Sequence, residues 1–278
     1  MKFIPLTAAA ASLAYAEEYV RCKTEPTAEK ISMLNEAASN ASAASSEALF
    51  SIAALRNVDT YVHVVTTSAK AGRYSQAQVN EQISAMNNAY APLNVAFNLV
   101  DTDFTTNNAW AAAGDSSSAE LAMKRALHQG SYADLNLYFL SDLGGGLLGF
   151  CYFPEASPSS QDLILDGCVN LADSLPNGSA TNYDEGATAI HETGHWFGLY
   201  HVFQGSSCSG SGDFVSDTPI QRTATSGCPS RQDSCPNAAG VDSIHNWMDY
   251  SYDACMYEFT AGQVTRAAGL YDQLRAGK

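Results

Sequence analysis

The chain has 278 residues, enough to bury a substantial core as one large domain or two small ones. It carries 14 basic and 29 acidic side chains, a formal net charge of −15. That balance argues against a nucleic-acid or anionic-membrane partner, both of which need clustered Lys and Arg.

The N-terminal stretch "MKFIPLTAAAASLAYAEE" joins one Lys, a short apolar run and Ala14-Tyr15-Ala16 ahead of acidic residues. These are the parts of a secretory signal peptide over residues 1–16, cleaved after Ala16. The run is too short for a membrane span and no later segment is long enough, so a secreted, soluble, extracellular protein is expected. Seven cysteines fit an oxidising compartment. Six lie between Cys151 and Cys255 while Cys22 stands alone, so at least one thiol has no intramolecular partner. Two sequons, at Asn40 and Asn177, fit a secreted glycoprotein.

Residues 17 to about 56 are rich in Ala and Ser, with little to pack into a core, and read as a helical or flexible pro-segment. The texture changes at Asn57, where a domain reaching residue 278 begins. "TYVHVVTT" (60–67) suits a buried strand. Residues 75–94 form a helix with Val79, Ile83 and Met86 at helical spacing and Ser75 as cap. A strand over 95–104 and a shorter helix over 120–129 follow. "LNLYFLSD" (135–142), "LLGFCYFP" (147–154) and "LILDGCVNL" (163–171) read as three more strands. Strands alternating with helices predict an α/β layer with a twisted, mostly parallel, five-stranded sheet.

The next helix, opened by Asn182 with Glu185 as a capping box, carries "TAIHETGHWFGLYH" (188–201). Positions i and i+4 share a helix face, so His191 and His195 can aim two imidazoles at one point. Gly198 tolerates the positive φ at which the backbone leaves the helix, bringing His201 back as a third nitrogen. Three neutral imidazoles leave one position open, the arrangement of a single catalytic Zn²⁺. Glu192 sits beside that point without being a ligand and is placed to take a proton from an attacking water, so metal-assisted hydrolysis is the expected chemistry. His63, His128 and His245 are expected to pack or cap. Beyond His201 the chain is loop-rich with four cysteines, which allow three pairings and would replace a hydrophobic core. A last helix starts at Thr260, with Gln263 completing a capping box. No serine-nucleophile elbow is present.

HExxHxxGxxH resembles the metzincin peptidases, whose second hallmark is a methionine-containing turn beneath the metal. Here that turn is "HNWMDYSYDACMYEFTAGQ", with Met248 below the zinc and Tyr250 matching a catalytic tyrosine. Within that group the chain resembles the pappalysin family, on "LLGFCYFP", "DGCVNL", "LPNGSATNYDEGATAIHETGHWFGLYHVFQG", "GDFVSDTP" and the methionine turn. The resemblance implies a metzincin-type catalytic domain with an upper subdomain (about 57–198) and a smaller, disulfide-bonded lower one (about 199–278). It also implies peptide substrate lying along the edge strand "LLGFCYFP". Cys151 and Cys168 depart from the family pattern together, on strands expected to be neighbours, and should bond to each other. For the lower cysteines the resemblance favours Cys208–Cys235 and Cys228–Cys255. It further points to Ca²⁺ near Asp213, Asp217 and Thr218, and Asp253 lies near the pocket for the residue after the scissile bond, where Arg or Lys would suit it. "VRCKTEP" (20–26) resembles a cysteine-switch segment in which Cys22 blocks the zinc, with Lys23 where a glycine is usual; activation would be cleavage between Leu49 and Asn57. The expectation is a monomeric, secreted zinc endopeptidase made as a zymogen and acting on extracellular proteins or peptides. The alternatives are a binding protein on a degenerate peptidase fold and a zinc amidase.

Overall fold

A computed structural model describes residues 19–43 and 55–278; the expected signal segment 1–16 and most of the expected activation stretch lie outside them. Strand β2 (Arg56–Thr66) runs parallel to two neighbours, β3 (Val95–Thr106) and β4 (Leu135–Leu140). Next to β4 comes β6 (Cys168–Leu171), also parallel, and β5 (Leu147–Cys151) pairs antiparallel to β6. These are the five expected strands. The sheet has a sixth, β1 (Val20–Cys22), laid parallel along β5 to give the order β1-β5-β6-β4-β2-β3. The free backbone groups of an edge strand are a template for another strand. Here Val20 N donates to Gly146 O at 2.9 Å and Lys23 N to Gly149 O at 3.1 Å.

Helices form where apolar spacing and a cap coincide. α2 (Gln76–Tyr90) starts from the Ser75–Gln78 capping box and buries Val79, Ile83, Met86 and Tyr90. α3 (Ser118–Leu127) is capped by Ser117. Residues 163–171, expected as one strand, divide: Ser160–Leu165 is a short helix, α4, and only the last four residues join the sheet. The capping box of Ser159 with Asp162 nucleates that turn, a local signal that outweighs the apolar run after it. α5 (Ala187–Trp196) is the histidine helix, and α6 (Ala261–Leu274) begins at the Thr260–Gln263 capping box.

Helix α1 (Ala28–Ala43), in the stretch expected to be a pro-segment, packs more firmly than its composition suggests. Leu34 and Ala37 are buried with Phe153, Tyr200, Leu270 and Leu274. A Cβ on Gly269 of α6 would lie 2.9 Å from the Ala41 methyl, so the two helices approach closely there. Leu34→Ala should therefore weaken α1 docking by roughly 2–5 kcal/mol, the usual cost of emptying a buried leucine site. Faster limited proteolysis of residues 28–43 in the precursor would show it.

From His201 to α6 regular structure is sparse. Disulfides Cys208–Cys235 and Cys228–Cys255 cross this region, and Cys151–Cys168 joins β5 to β6 at directly opposed positions. Buried Asp249 organises the loops by accepting from Thr225 N (2.9 Å), Gln221 Nε2 (3.0 Å) and Tyr250 N (2.8 Å).

Candidate metal centre and active-site cleft

Every residue of α5 is buried. Its start differs from expectation: Gly186, at φ 87°, is the N-cap, and Asn182 and Glu185 form no capping box. Backbone N–H groups at the helix start are met from outside, because Asp253 Oδ2 accepts from Glu185 N (3.1 Å) and Ala187 N (3.2 Å). A carboxylate there also complements the helix dipole. Asp253 N in turn donates to Asn182 O at 3.0 Å.

Gly198, at φ 89°, ends the helix, and Leu199 N donates to Gly194 O at 2.9 Å as the chain turns. That turn returns His201 to the face carrying His191 and His195. Beneath them lies Met248, fully buried; a Cβ on Gly194 would sit 2.3 Å from its sulfur. The helix backbone thus rests directly on the methionine.

The imidazoles are oriented from behind. His191 Nδ1 donates to Trp247 O at 2.7 Å and His195 Nδ1 to Leu199 O at 2.8 Å, which turns both Nε2 lone pairs inward. His195 Nε2 and His201 Nε2 face each other at 3.1 Å, and His191 Nε2 is buried without a partner. Burial holds the rings neutral, lowering His191 and His201 well below the usual histidine range and His195 to about 4. Two inward lone pairs beside a third neutral imidazole, with His191 Nε2 left unpartnered, are satisfied by a cation, so these residues fit a zinc ion.

The fourth group at this point is Cys22. Its sulfur and the three histidine nitrogens lie within 4.8 Å of one another, and no other such His/Cys/Asp/Glu group occurs among the described residues. Cys22 Sγ is 3.5 Å from His195 Nε2 and 3.3 Å from Glu192 Oε2, and accepts from Thr24 N at 3.1 Å. Burial, then the Glu192 charge, raises the thiol; burial lifts Glu192 to about 8. A dication in the cluster opposes both shifts by favouring thiolate and carboxylate.

The comparisons decide the family. Residues 125–272 match the family model described as pregnancy-associated plasma protein-A. The chain belongs to the pappalysin family. An extracellular metalloprotease of Neurospora crassa is 51% identical over 92% of this chain and 89% of its own length. Extracellular metalloprotease 1 of Coccidioides posadasii is 54% identical over 80% of this chain and 79% of its own. Among solved structures, a promirolysin mutant from Tannerella forsythia superposes with a TM-score of 0.68 at 27% identity, covering 91% of this chain and 96% of that one. Mature mirolysin in complex with a cleaved peptide gives 0.65 at 30% identity, covering 80% and 96%. The protein is a metalloendopeptidase.

The rest of the pappalysin cleft is assembled around the metal residues. Tyr250 Oη donates to Cys22 O at 3.0 Å and lies 3.2 Å from His201 Nε2. Burial raises its phenol, so it stays a neutral donor. Arg21 Nη2 donates to Asp253 Oδ1 at 2.6 Å and Ser251 O at 2.7 Å, with its guanidinium 4.8 Å from the Tyr183 ring centre. Thr24 Oγ1 accepts from Cys151 N at 2.8 Å and lies 3.3 Å from Glu192 Oε2. The sequence gives no sign of this role for Thr24, because it depends on β1 seating against β5.

The other singled-out residues lie elsewhere. His63 bonds Asp103 (2.5 Å) and Asn136 (3.0 Å), His245 bonds Cys255 O (2.7 Å), and His128 is partly buried. Asp213 Oδ1 accepts from Thr218 Oγ1 at 2.5 Å and Val215 N at 3.1 Å. Asp217 instead caps α6, accepting from Thr260 Oγ1 (2.7 Å) and Gly262 N (2.8 Å). Asn40 is exposed on α1; Asn177 is exposed too, with its Nδ2 on Glu81 at 2.7 Å. No helix among the described residues is long and apolar enough to cross a membrane.

Proposed function

We propose that this chain is a secreted zinc endopeptidase made as a latent precursor, with a preference for Arg or Lys immediately after the scissile bond. The observation that carries the reading is the seating of the pro-segment. Its only cysteine reaches the three-histidine cluster while the adjacent Arg21 fills the buried Asp253 pocket. His191, His195 and His201 would hold the zinc, which when bound would polarise the scissile carbonyl and lower the pKa of water. Glu192, whose Oε1 has no partner, takes the proton of the attacking water and passes it to the leaving amine nitrogen. Tyr250 donates to the developing carbonyl oxyanion from the position where it now holds Cys22 O. The edge of β5, freed of β1, pairs with the substrate backbone. That mirolysin, a structural neighbour, was captured with a cleaved peptide supports a peptide substrate.

Latency follows from the same contacts. The Cys22 thiolate would fill the open metal position, and β1 would fill the substrate strand, until the chain is cut between Leu49 and Asn57. The reading is tested on the matured chain by casein hydrolysis with and without a chelator, followed by cleavage-site profiling on a peptide library. Chelator-sensitive cleavage before Arg and Lys is expected, with the basic preference lost in Asp253→Asn. Hydrolysis indifferent to the chelator would overturn the assignment.

Calcium belongs to the same proposal. Asp213 Oδ2 is buried without a partner, and burial raises this carboxyl to about 7. A raised carboxyl keeps its proton in the folded state. The calcium-free protein should therefore hold its full stability below the unfolded-state value, near pH 4, and lose it as pH rises through about 7. A Ca²⁺ ion on Asp213 removes that loss. The melting temperature at neutral pH should rise on adding millimolar calcium, and much less so in Asp213→Asn; no change in the wild type would sink this part.

A further inference from the structure

The seated pro-segment also marks a second charged subsite. Cys22 sits at the metal cluster, and the residues on either side of it each end on a carboxylate of the catalytic domain. Arg21 enters the Asp253 pocket, and Lys23 Nζ lies 3.4 Å from Asp115 Oδ2. Side chains alternate along a strand, so residues two apart share a face about 6.6 Å from each other.

Asp115 is held in place. It lies in the turn before α3, where Ser116 N donates to Glu120 Oε2 at 2.8 Å. Tyr152 Oη, just past the end of β5, donates to the same oxygen at 3.1 Å. Glu120 is fully buried and paired with the equally buried Lys124 at 3.0 Å. This ion pair takes no part at the metal, and its Glu120 ties the Asp115 turn to the end of β5. Ser116 Oγ donates to Asp115 Oδ1 at 3.0 Å, leaving Oδ2 to meet an ammonium group. Asp115 and Glu155, which pairs with Lys30, line one cleft together with Tyr152 and Phe153.

We propose that Asp115 is a specificity-determining residue that selects a basic side chain at the second residue before the scissile bond. The inference rests on the reading that Asp253 takes the residue after that bond. A substrate with that residue in the Asp253 pocket and its scissile carbonyl at the metal must carry its preceding residues past Asp115, as Lys23 does now. Two positions back from the Asp253 residue is the second residue before the bond, on the same face. The Lys23 and Asp115 side chains are 58% and 31% exposed, so the effect is that of a rim ion pair, about twofold to fivefold in rate constant.

The test uses matured enzyme and matched fluorogenic peptides with Arg after the scissile bond and Lys, Gln or Glu at the second position before it. For the wild type, kcat/KM should follow Lys over Gln over Glu, with the Lys/Gln ratio falling toward one at about 0.5 M salt. Asp115→Asn should bring that ratio near one, and Asp115→Lys should invert the order to favour Glu. A wild-type ratio of one, or one unchanged in both variants, overturns the Asp115 proposal while the Arg preference still stands. Loss of the Arg preference itself would overturn the Asp253 reading and this one with it.

Discussion

Glu192→Ala in the matured protein is expected to keep its zinc and lose almost all turnover, with kcat lower by roughly 10²–10⁴-fold, the range for a general base. The structure separates the two roles that such a loss could reflect. The metal cluster is made of Cys22, His191, His195 and His201, and Glu192 is not a member. Its Oε2 lies 3.3 Å from the Cys22 sulfur, so the carboxylate borders the position the thiol occupies at the cluster. Removing it takes away the proposed proton acceptor and none of the clustered imidazoles. Zinc content and kcat should therefore part company in this variant. Near-wild-type turnover in a metal-loaded Glu192→Ala protein would remove Glu192 from the mechanism.

The second large effect concerns latency. Cys22→Ser should make the uncleaved precursor active, or make it process itself early. A serine hydroxyl is a poor replacement for a thiolate on zinc, and a tenfold shift needs only about 1.4 kcal/mol. Arg21→Ala should also leak activity, because it leaves Asp253 buried beside an empty pocket. Breaking such a pair costs about 3–5 kcal/mol, less here because two backbone N–H groups still bond the carboxylate. Leu34 and Ala37 would keep α1 docked in both variants, so leakage should stop short of full mature activity. A Cys22→Ser precursor as silent and long-lived as the wild type would defeat the switch.

What the sequence disclosed, it disclosed through short-range rules. The i, i+4 spacing of His191 and His195, the glycine at 198 and the Ser75 and Thr260 caps each specify geometry within a few residues, and each is found in the structure. The five main strands were legible as β-branched and aromatic runs, apart from the segment that opens with α4, where a local cap competes with an apolar pattern. Contacts between distant parts of the chain were less legible. The sequence places Asp253 near a pocket, but nothing in it says that Asp253 also caps α5, 66 positions away, in place of Asn182 and Glu185. Nor does an Ala- and Ser-rich stretch announce that Leu34 will meet Leu270 and Leu274, because a single apolar stripe has meaning only against the surface it covers. The parallel run of β1 on β5 belongs to the same class. It depends on which sheet edge is left open, and that edge exists only once the domain has folded.

X-ray absorption at the zinc edge reads the ligand shell directly and tests the account at its centre. The precursor should show one sulfur and three imidazole nitrogens, and the sulfur should vanish both in the matured protein and in the Cys22→Ser precursor. A precursor whose zinc carries only nitrogen and oxygen ligands would contradict the account.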